Sequence, residues 1–293
     1  MQTDVSDPTR GDVVDIASEE GVELRDGRAA ADRLRDVIRE TWRPFVVLAF
    51  VAFLWWLVTN REWVEPYLVP KPRDVAELMI EQRSFLWHHI WITSYETVAG
   101  FVLAVAIGQL AAMAIVYSVT IEKALYPILL FAQVVPKIAI APLFVVWLGF
   151  GPAPKILIAA LIACFPSVIS SGAGLRSVDP EMLELAATMG ASKFRTFRKI
   201  RFPTSLPHLF SGLKVAATLA VVGAVVGEFV CANAGLGYVL LIANGNLNGP
   251  LLFAGLILMT LIGIVMFVAI EVAERVVLPW HASRRGGDVA GMF

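Results

Sequence analysis

Apolar residues run along this chain in blocks too long for a soluble core and too regular in length to be accidental. A hydrocarbon layer about 30 Å thick takes about 20 apolar residues as a helix. Six segments approach or meet that length: residues 45–59, 90–117, 123–149, 154–173, 208–231 and 251–277. The pattern predicts an all-α, polytopic membrane protein with six transmembrane helices. Ahead of the first block, Ala31, Leu34, Ile38 and Trp42 recur at helical spacing while Arg33, Arg35, Asp36 and Arg39 fall elsewhere, which predicts an interfacial helix over 28–43.

The polar segments between the blocks carry turn chemistry. Residues 60–89 hold Pro66, Pro70 and Pro72, then a short helix expected from Asp74 to Gln82. Residues 232–250 wrap Gly, Asn and Pro around one apolar run too short to span, so a re-entrant or surface helix is expected there. The stretch ELAATMGASKFRTFRKIRFPTSLP, residues 184–207, is the most structured of them. Asp179 before Pro180 is a helix start, because its carboxylate accepts from free backbone N–H groups and proline in the first turn forfeits no needed donor. Gly190 stops that helix near 189, Ser192 caps a second one through about Arg201, and Pro203 is expected to end it. Pro136, Pro142, Gly149, Gly151 and Pro166 interrupt the third and fourth blocks and free backbone groups that neighbours or cavity water must satisfy.

Composition sharpens this picture. Hydrophobic residues make up 57% and charged residues 17% of the chain, against about 25% charged in soluble domains. Placing the amino terminus inside gives that side seven Arg before Phe45, Lys123, six cations in 175–207 and Arg284 and Arg285; the other side receives Arg61, Lys71, Arg73, Arg83 and Lys155. Both termini are therefore expected in the cytoplasm. Residues 1–26 hold eight acids against Arg10 and Arg25, the composition of a solvated tail, and no cleavable signal is expected before Phe45. Cys164 and Cys231 both lie in apolar segments and predict neither a disulfide framework nor a metal site.

No phosphate-loop, HExxH or GxSxG motif and no clustered Cys or His ligands occur, so neither catalytic residues nor a metal site are expected. His88 and His89 sit at a membrane boundary, where interfacial placement is the expectation. Charge inside the apolar blocks is costly, about 2.5–3.5 kcal/mol at mid-bilayer on the lenient scale. Lys137, Glu228 and Glu96 are such groups, and two readings stand side by side: they line a translocation pathway, or Lys137 and Glu228 form a structural pair that locks helices. Gly223 and Gly227, four apart, suit close helix contact at a subunit interface.

The basic segment at 193–201 fits anionic headgroups or a docked protein equally well by composition. Its spacing goes further. The segment resembles the EAA loop of ABC importer permeases, whose pattern is EAA, three residues, Gly, nine residues, then I, any residue, L, P. Glu184, Ala186, Gly190, Ile200 and Pro203 match, with Leu185 and Phe202 as apolar departures. The likeness spans roughly residues 90–280 and leans toward the nitrate, sulfonate and taurine branch through VVPKIAIAPLFVVWLGFGPAPKI and GEFVCANAGLGYVL; thiamine-precursor pyrimidine and riboflavin permeases share these features. The resemblance implies a type I ABC importer (MetI-like) permease fold with a coupling loop at 175–207; the first 44 residues lie outside it, and the chain is expected to divide into a cytoplasmic tail over 1–44, a permease domain over 45–280 and a second cytoplasmic tail over 281–293. The resemblance also implies that Glu184 pairs with a basic residue of a cytoplasmic ATPase subunit, that Ala186 and Ala187 permit close approach, and that Gly190 permits the turn. Implied partners are ABC ATPase subunits, which bind ATP and Mg, an extracytoplasmic substrate-binding protein, a second permease subunit forming a homodimer, and the lipid bilayer. No cofactor in this chain and no nucleic acid are expected. The alternative is an ATP-independent secondary transporter or channel using Lys137, Glu228 and Glu96.

Overall fold

The computed structural model describes residues 46–61, 63–65, 68–231 and 233–279, and every regular element among them is helical. The expected interfacial helix over 28–43, the tail over 1–44 and the tail over 281–293 lie outside the described residues. The chain divides into two units, residues 1–65 and 66–293. The first holds α1 (Val46–Asn60), a short apolar helix. Near its end the Thr59 hydroxyl donates to the Trp55 carbonyl at 2.8 Å, which hides a polar group within the helix itself.

The second unit holds α2 (Pro72–Glu81), α3 (Arg83–Tyr117), α4 (Val119–Val134), α5 (Lys137–Leu148), α6 (Pro152–Arg176), α7 (Pro180–Thr188), α8 (Lys193–Thr196), α9 (Phe202–Cys231), α10 (Leu236–Gly245) and α11 (Gly249–Val277). Among the described residues four helices are long and apolar enough to cross a membrane, namely α3, α6, α11 and a continuous helix over Lys193–Val230 that joins α8 to α9; α4 and α5 together make a fifth if they count as one crossing.

The centre of the unit is α3, α6 and α9, packed through small residues. In lipid no hydrophobic force drives helices together, so close backbone approach and dispersion carry the association. A methyl group placed on Gly100 of α3 would collide with Ala159 of α6, one on Gly108 would lie 2.7 Å from the Ser167 Cβ, and one on Gly223 of α9 would lie 2.5 Å from the Ala159 Cα. A methyl group on Gly227 would likewise lie 2.9 Å from the Lys155 Cα. The close contact of Gly223 and Gly227 is therefore made inside this chain, against α6, and not at a subunit interface. A second cluster joins α10 to α11 through Leu236, Val239, Leu240, Leu251, Leu258 and Ile262.

The third apolar block is not one straight helix. Between α4 and α5 the axis turns by 97°. Pro136 supplies the cause: it brings no N–H to the α4 ladder and pushes Val135 into an extended conformation, φ −62° and ψ 125°. Lys137 then starts α5 instead of sitting deep within a continuous span. None of the described α4 side chains is buried. An ion pair from Arg176 at the end of α6 to Glu122 of α4, 2.7 Å long, ties this helix back to the centre.

Pro203 does not end a helix. The segment Phe197–Arg201 winds as a π-helix, with Phe202 N–H donating to the Phe197 carbonyl, and the chain runs on into α9. The wider turn absorbs the N–H that Pro203 lacks, and the Thr204 hydroxyl takes the Ile200 carbonyl at 2.8 Å. The basic segment is thus continuous with a membrane-length helix, where a separate short helix was expected.

Candidate functional site

Two constellations stand at opposite ends of the central helices. At the end where α3 and α6 begin and α9 finishes, polar side chains surround the start of α10. A helix N-terminus carries N–H groups without intrahelical partners. Here each of three successive ones finds a side chain: Gly235 N–H donates to His89 Nδ1 at 2.9 Å, Leu236 N–H to Thr93 Oγ1 at 2.7 Å, and Gly237 N–H to Glu228 Oε2 at 2.5 Å. The Thr93 hydroxyl in turn donates to Glu228 Oε1 at 2.6 Å. Gly235 has φ +117°, and a Cβ there would overlap the Glu228 carboxylate, so only glycine fits both the backbone and the space. The Glu228 carboxyl group also lies at the positive end of the α10 dipole.

One turn further along α3, Glu96 is buried at 1% exposure and forms an ion pair with Lys155 of α6, itself buried. Glu228 stands beside Glu96. The sequence reading placed Lys155 among the loop cations; it is instead the counter-ion of Glu96, because α6 begins at Pro152 and carries Lys155 inward on its first turn. Lys137 belongs to neither group. Its ammonium donates to the Gln133 carbonyl across the α4–α5 bend, 3.2 Å away, and no ion pair joins it to Glu228 among the described residues. The proposed Lys137–Glu228 lock is absent from this structure.

At the other end, α7 is a short helix held at both termini. Asp179 accepts from the Glu181 N–H at 3.0 Å. Beyond it Gly190, at φ +72°, closes a Schellman turn in which Gly190 N–H reaches the Ala187 carbonyl and Ala191 N–H the Ala186 carbonyl, both at 3.0 Å. Ser192 caps α8 through the Arg195 N–H at 3.3 Å. Ala186 is buried against the rest of the chain, whereas Glu184, Ala187 and Gly190 are exposed. The Glu184 side chain has no hydrogen-bond or ion-pair partner among the described residues. Around it Met182, Leu185, Met189 and Phe194 are exposed, at 51%, 60%, 79% and 71%. Ile200 lies on the π-helical turn and Pro203 at the start of α9, both half-buried.

Residues 104–279 match the family model described as binding-protein-dependent transport system inner membrane component. A probable ABC transporter permease protein of Haemophilus influenzae is 34% identical to this chain over 78% of its length and 94% of the relative's. The chain belongs to this family of transport-system inner membrane components. The permease is also 35% identical, over 77% of its length and 91% of the relative's, to a formylaminopyrimidine transport permease of Halalkalibacterium halodurans. Among solved structures it is similar in fold to the inward-facing MetNI methionine ABC transporter, with TM-score 0.61 and 18% identity over 67% of this chain and 98% of that one.

The sequence reading of the permease missed His89, Thr93, Lys155, Gly235 and Gly237. One signal was available: His89, Thr93 and Glu96 lie at i, i+4 and i+7 on α3 and so form a polar stripe along one face of an otherwise apolar helix. What they bind could not be read from that stripe, since the partners come from α6, α9 and α10.

Proposed function

We propose that this permease is the membrane-spanning subunit of an ATP-driven importer, worked from α7 by a separate ATPase subunit. The observation that carries the reading is Glu184, an exposed carboxylate without an internal partner, set among exposed apolar side chains on a helix whose two ends are fixed. A rigid helix with an apolar patch and one open charge is a docking element for another protein. Because the π-helical turn joins α8 to α9 without a break, a push on α7 and α8 reaches the central helices as a movement of a whole rod.

In this proposal ATP and Mg stay with the ATPase, an extracytoplasmic binding protein delivers a small solute, and a second copy of the permease completes the pathway. The exposed apolar surface of α4 supports the second copy. In this reading the six apolar blocks each cross once, and the distribution of Lys and Arg supports both termini on the ATPase side. Glu96 and Glu228 line the solute's route at the α10 end, and Lys137 marks the α4–α5 bend. Two conformations that bind ATPase and solute differently would convert nucleotide binding into alternating access.

The test is copurification of the full chain with its ATPase subunit. Glu184→Lys is expected to lower association by tenfold or more and to abolish uptake in proteoliposomes while membrane insertion is unchanged. Full association and full uptake by Glu184→Lys would refute the reading.

A further inference from the structure

A groove of about 320 Å³ opens at the α7 end of the molecule, between the last turn of α3, α7 and the basic segment that leads into α9. Its volume is at the lower end of the range that takes small ligands, roughly 300–1,000 Å³. Tyr117 closes it on the α3 side, and Leu183 and Ala187, one turn apart, line it on α7. The opposite wall brings Lys193, Thr196 and Arg201.

This wall carries charge of one sign. Lys193 and Arg201 are its ionic groups, and no carboxylate lines it. Arg201 is half-buried and donates one guanidinium N–H to the Leu175 carbonyl at 3.4 Å, out of the five N–H donors that a guanidinium has. The Lys193 ammonium and the hydroxyls of Thr196 and Tyr117 have no hydrogen-bond or ion-pair partner among the described residues. Glu122, the acid at the start of α4, is engaged by Arg176, and Glu181 and Glu184 of α7 lie outside the groove. The carboxyl end of α3 brings about half a negative charge to this region, against two full positive ones.

Four unengaged donors suit a group with several acceptor oxygens, because ammonium, guanidinium and hydroxyl can then all donate at once. A tetrahedral phosphate supplies those oxygens. The rest of the wall is apolar, with Val116 beside Leu183 and Ala187, and suits the carbons of an ester better than a bare inorganic ion. The level in the molecule agrees. The membrane-length helix α3 ends at this groove and the continuous helix over Lys193–Val230 begins there, so the groove lies where apolar helices leave the hydrocarbon. Basic pockets between membrane helices at that level bind phospholipid headgroups.

We infer that this groove is a binding site for a phosphate ester, its oxygens held by Lys193, Thr196 and Arg201 and its carbons against Val116 and Leu183. A phosphocholine is a poorer ligand, since its own ammonium meets two cations. An ester seated there touches α3, α7 and α8 together and so fixes α7 against the central helices. The inference goes beyond the importer reading and does not depend on it.

The experiment uses the full chain in neutral detergent micelles without ATPase, with bound adducts counted by native mass spectrometry. The probes are phosphatidylglycerol, phosphatidylcholine and glycerol 3-phosphate. One saturable phosphatidylglycerol site is expected, with phosphatidylcholine at least fivefold weaker. Lys193→Gln and Arg201→Gln are each expected to weaken phosphatidylglycerol at least fivefold, whereas Arg195→Gln, an exposed cation of the same segment outside the groove, changes it less than twofold. Arg201→Gln also removes the bond to Leu175, so Lys193→Gln, at an exposed position, carries the test by itself if the former fails to fold. Displacement of phosphatidylglycerol by glycerol 3-phosphate supports a site open to soluble esters, and its failure to displace supports the lipid headgroup. Equal binding of the two lipids, or affinity indifferent to Lys193→Gln and Arg201→Gln, would overturn the assignment. So would a loss in Arg195→Gln as large as in Lys193→Gln, since that describes a diffuse basic surface. Because no ATPase is present, these outcomes leave the Glu184 test untouched.

Discussion

Thr93 on α3 and Glu228 on α9, 135 positions apart in the chain, are joined by a hydroxyl-to-carboxylate hydrogen bond of 2.6 Å, and the same hydroxyl accepts the Leu236 N–H of α10. One side chain therefore binds three helices. Thr93 is fully buried, so nothing in solvent can replace it.

Thr93→Val keeps the shape and deletes both bonds, leaving a carboxylate oxygen and a backbone N–H each short of a partner. Polar contacts in membrane proteins average well under 2 kcal/mol because the unfolded state finds other partners, yet orphaning buried groups costs about 1–3 kcal/mol each. The expected loss is about 2–3 kcal/mol. It is read as a lowered unfolding midpoint and faster proteolysis around residues 232–236, with Thr93→Ser restoring most of both. A midpoint unchanged by Thr93→Val would show that the hydroxyl holds nothing.

Breaking the Glu96–Lys155 pair from one side strands a charge. Lys155→Met alone is expected to destabilise the protein by about 3–5 kcal/mol. Combined with Glu96→Gln, it removes both charges, and the double variant is expected within about 1 kcal/mol of the parent. Thermal unfolding of the single and double variants checks this, and additive losses would show that the two side chains are not coupled.

Gly223 and Gly263 give a matched pair. A Cβ on Gly223 would meet the Ala159 Cα at 2.5 Å, backbone against which little can move, whereas Gly263 on α11 has nothing within 4 Å. Gly223→Ala is expected to separate α9 from α6 at a cost of about 1–3 kcal/mol, and Gly263→Ala to be neutral or slightly stabilising through helix propensity. The loss in Gly223→Ala should appear at every protein concentration, as an intrachain contact requires; a loss confined to low concentration would point to a subunit contact instead.

The helices themselves were legible in the chain because the features that make them are local. The apolar blocks at 154–173 and 251–277 became α6 and α11 with ends shifted by a few residues. Asp179 and Gly190 bound α7 at the expected places, since a cap is decided by residues within four positions of one another. Pro203 misled for a related reason: a proline removes one N–H wherever it stands, but whether the helix stops or widens into a π-turn depends on what holds the turns on either side. Here Arg201 reaches the Leu175 carbonyl at 3.4 Å and Phe197 packs on Tyr117, with ring centres 5.7 Å apart.

The amino-acid order by itself determined the all-helical fold class, the apolar blocks and the capped helix between Asp179 and Gly190, all consequences of periodicity, turn chemistry and spacing along one stretch of chain. Only the packed structure decided which charge meets which: Lys155 with Glu96, Glu228 with Thr93 and the start of α10, Lys137 with neither. The physical reason is distance along the chain. Each of these pairings outside α10 joins residues 59 or 135 positions apart, and they come together because Gly100, Gly223 and Gly227 let three helices approach closely enough for their polar groups to find one another.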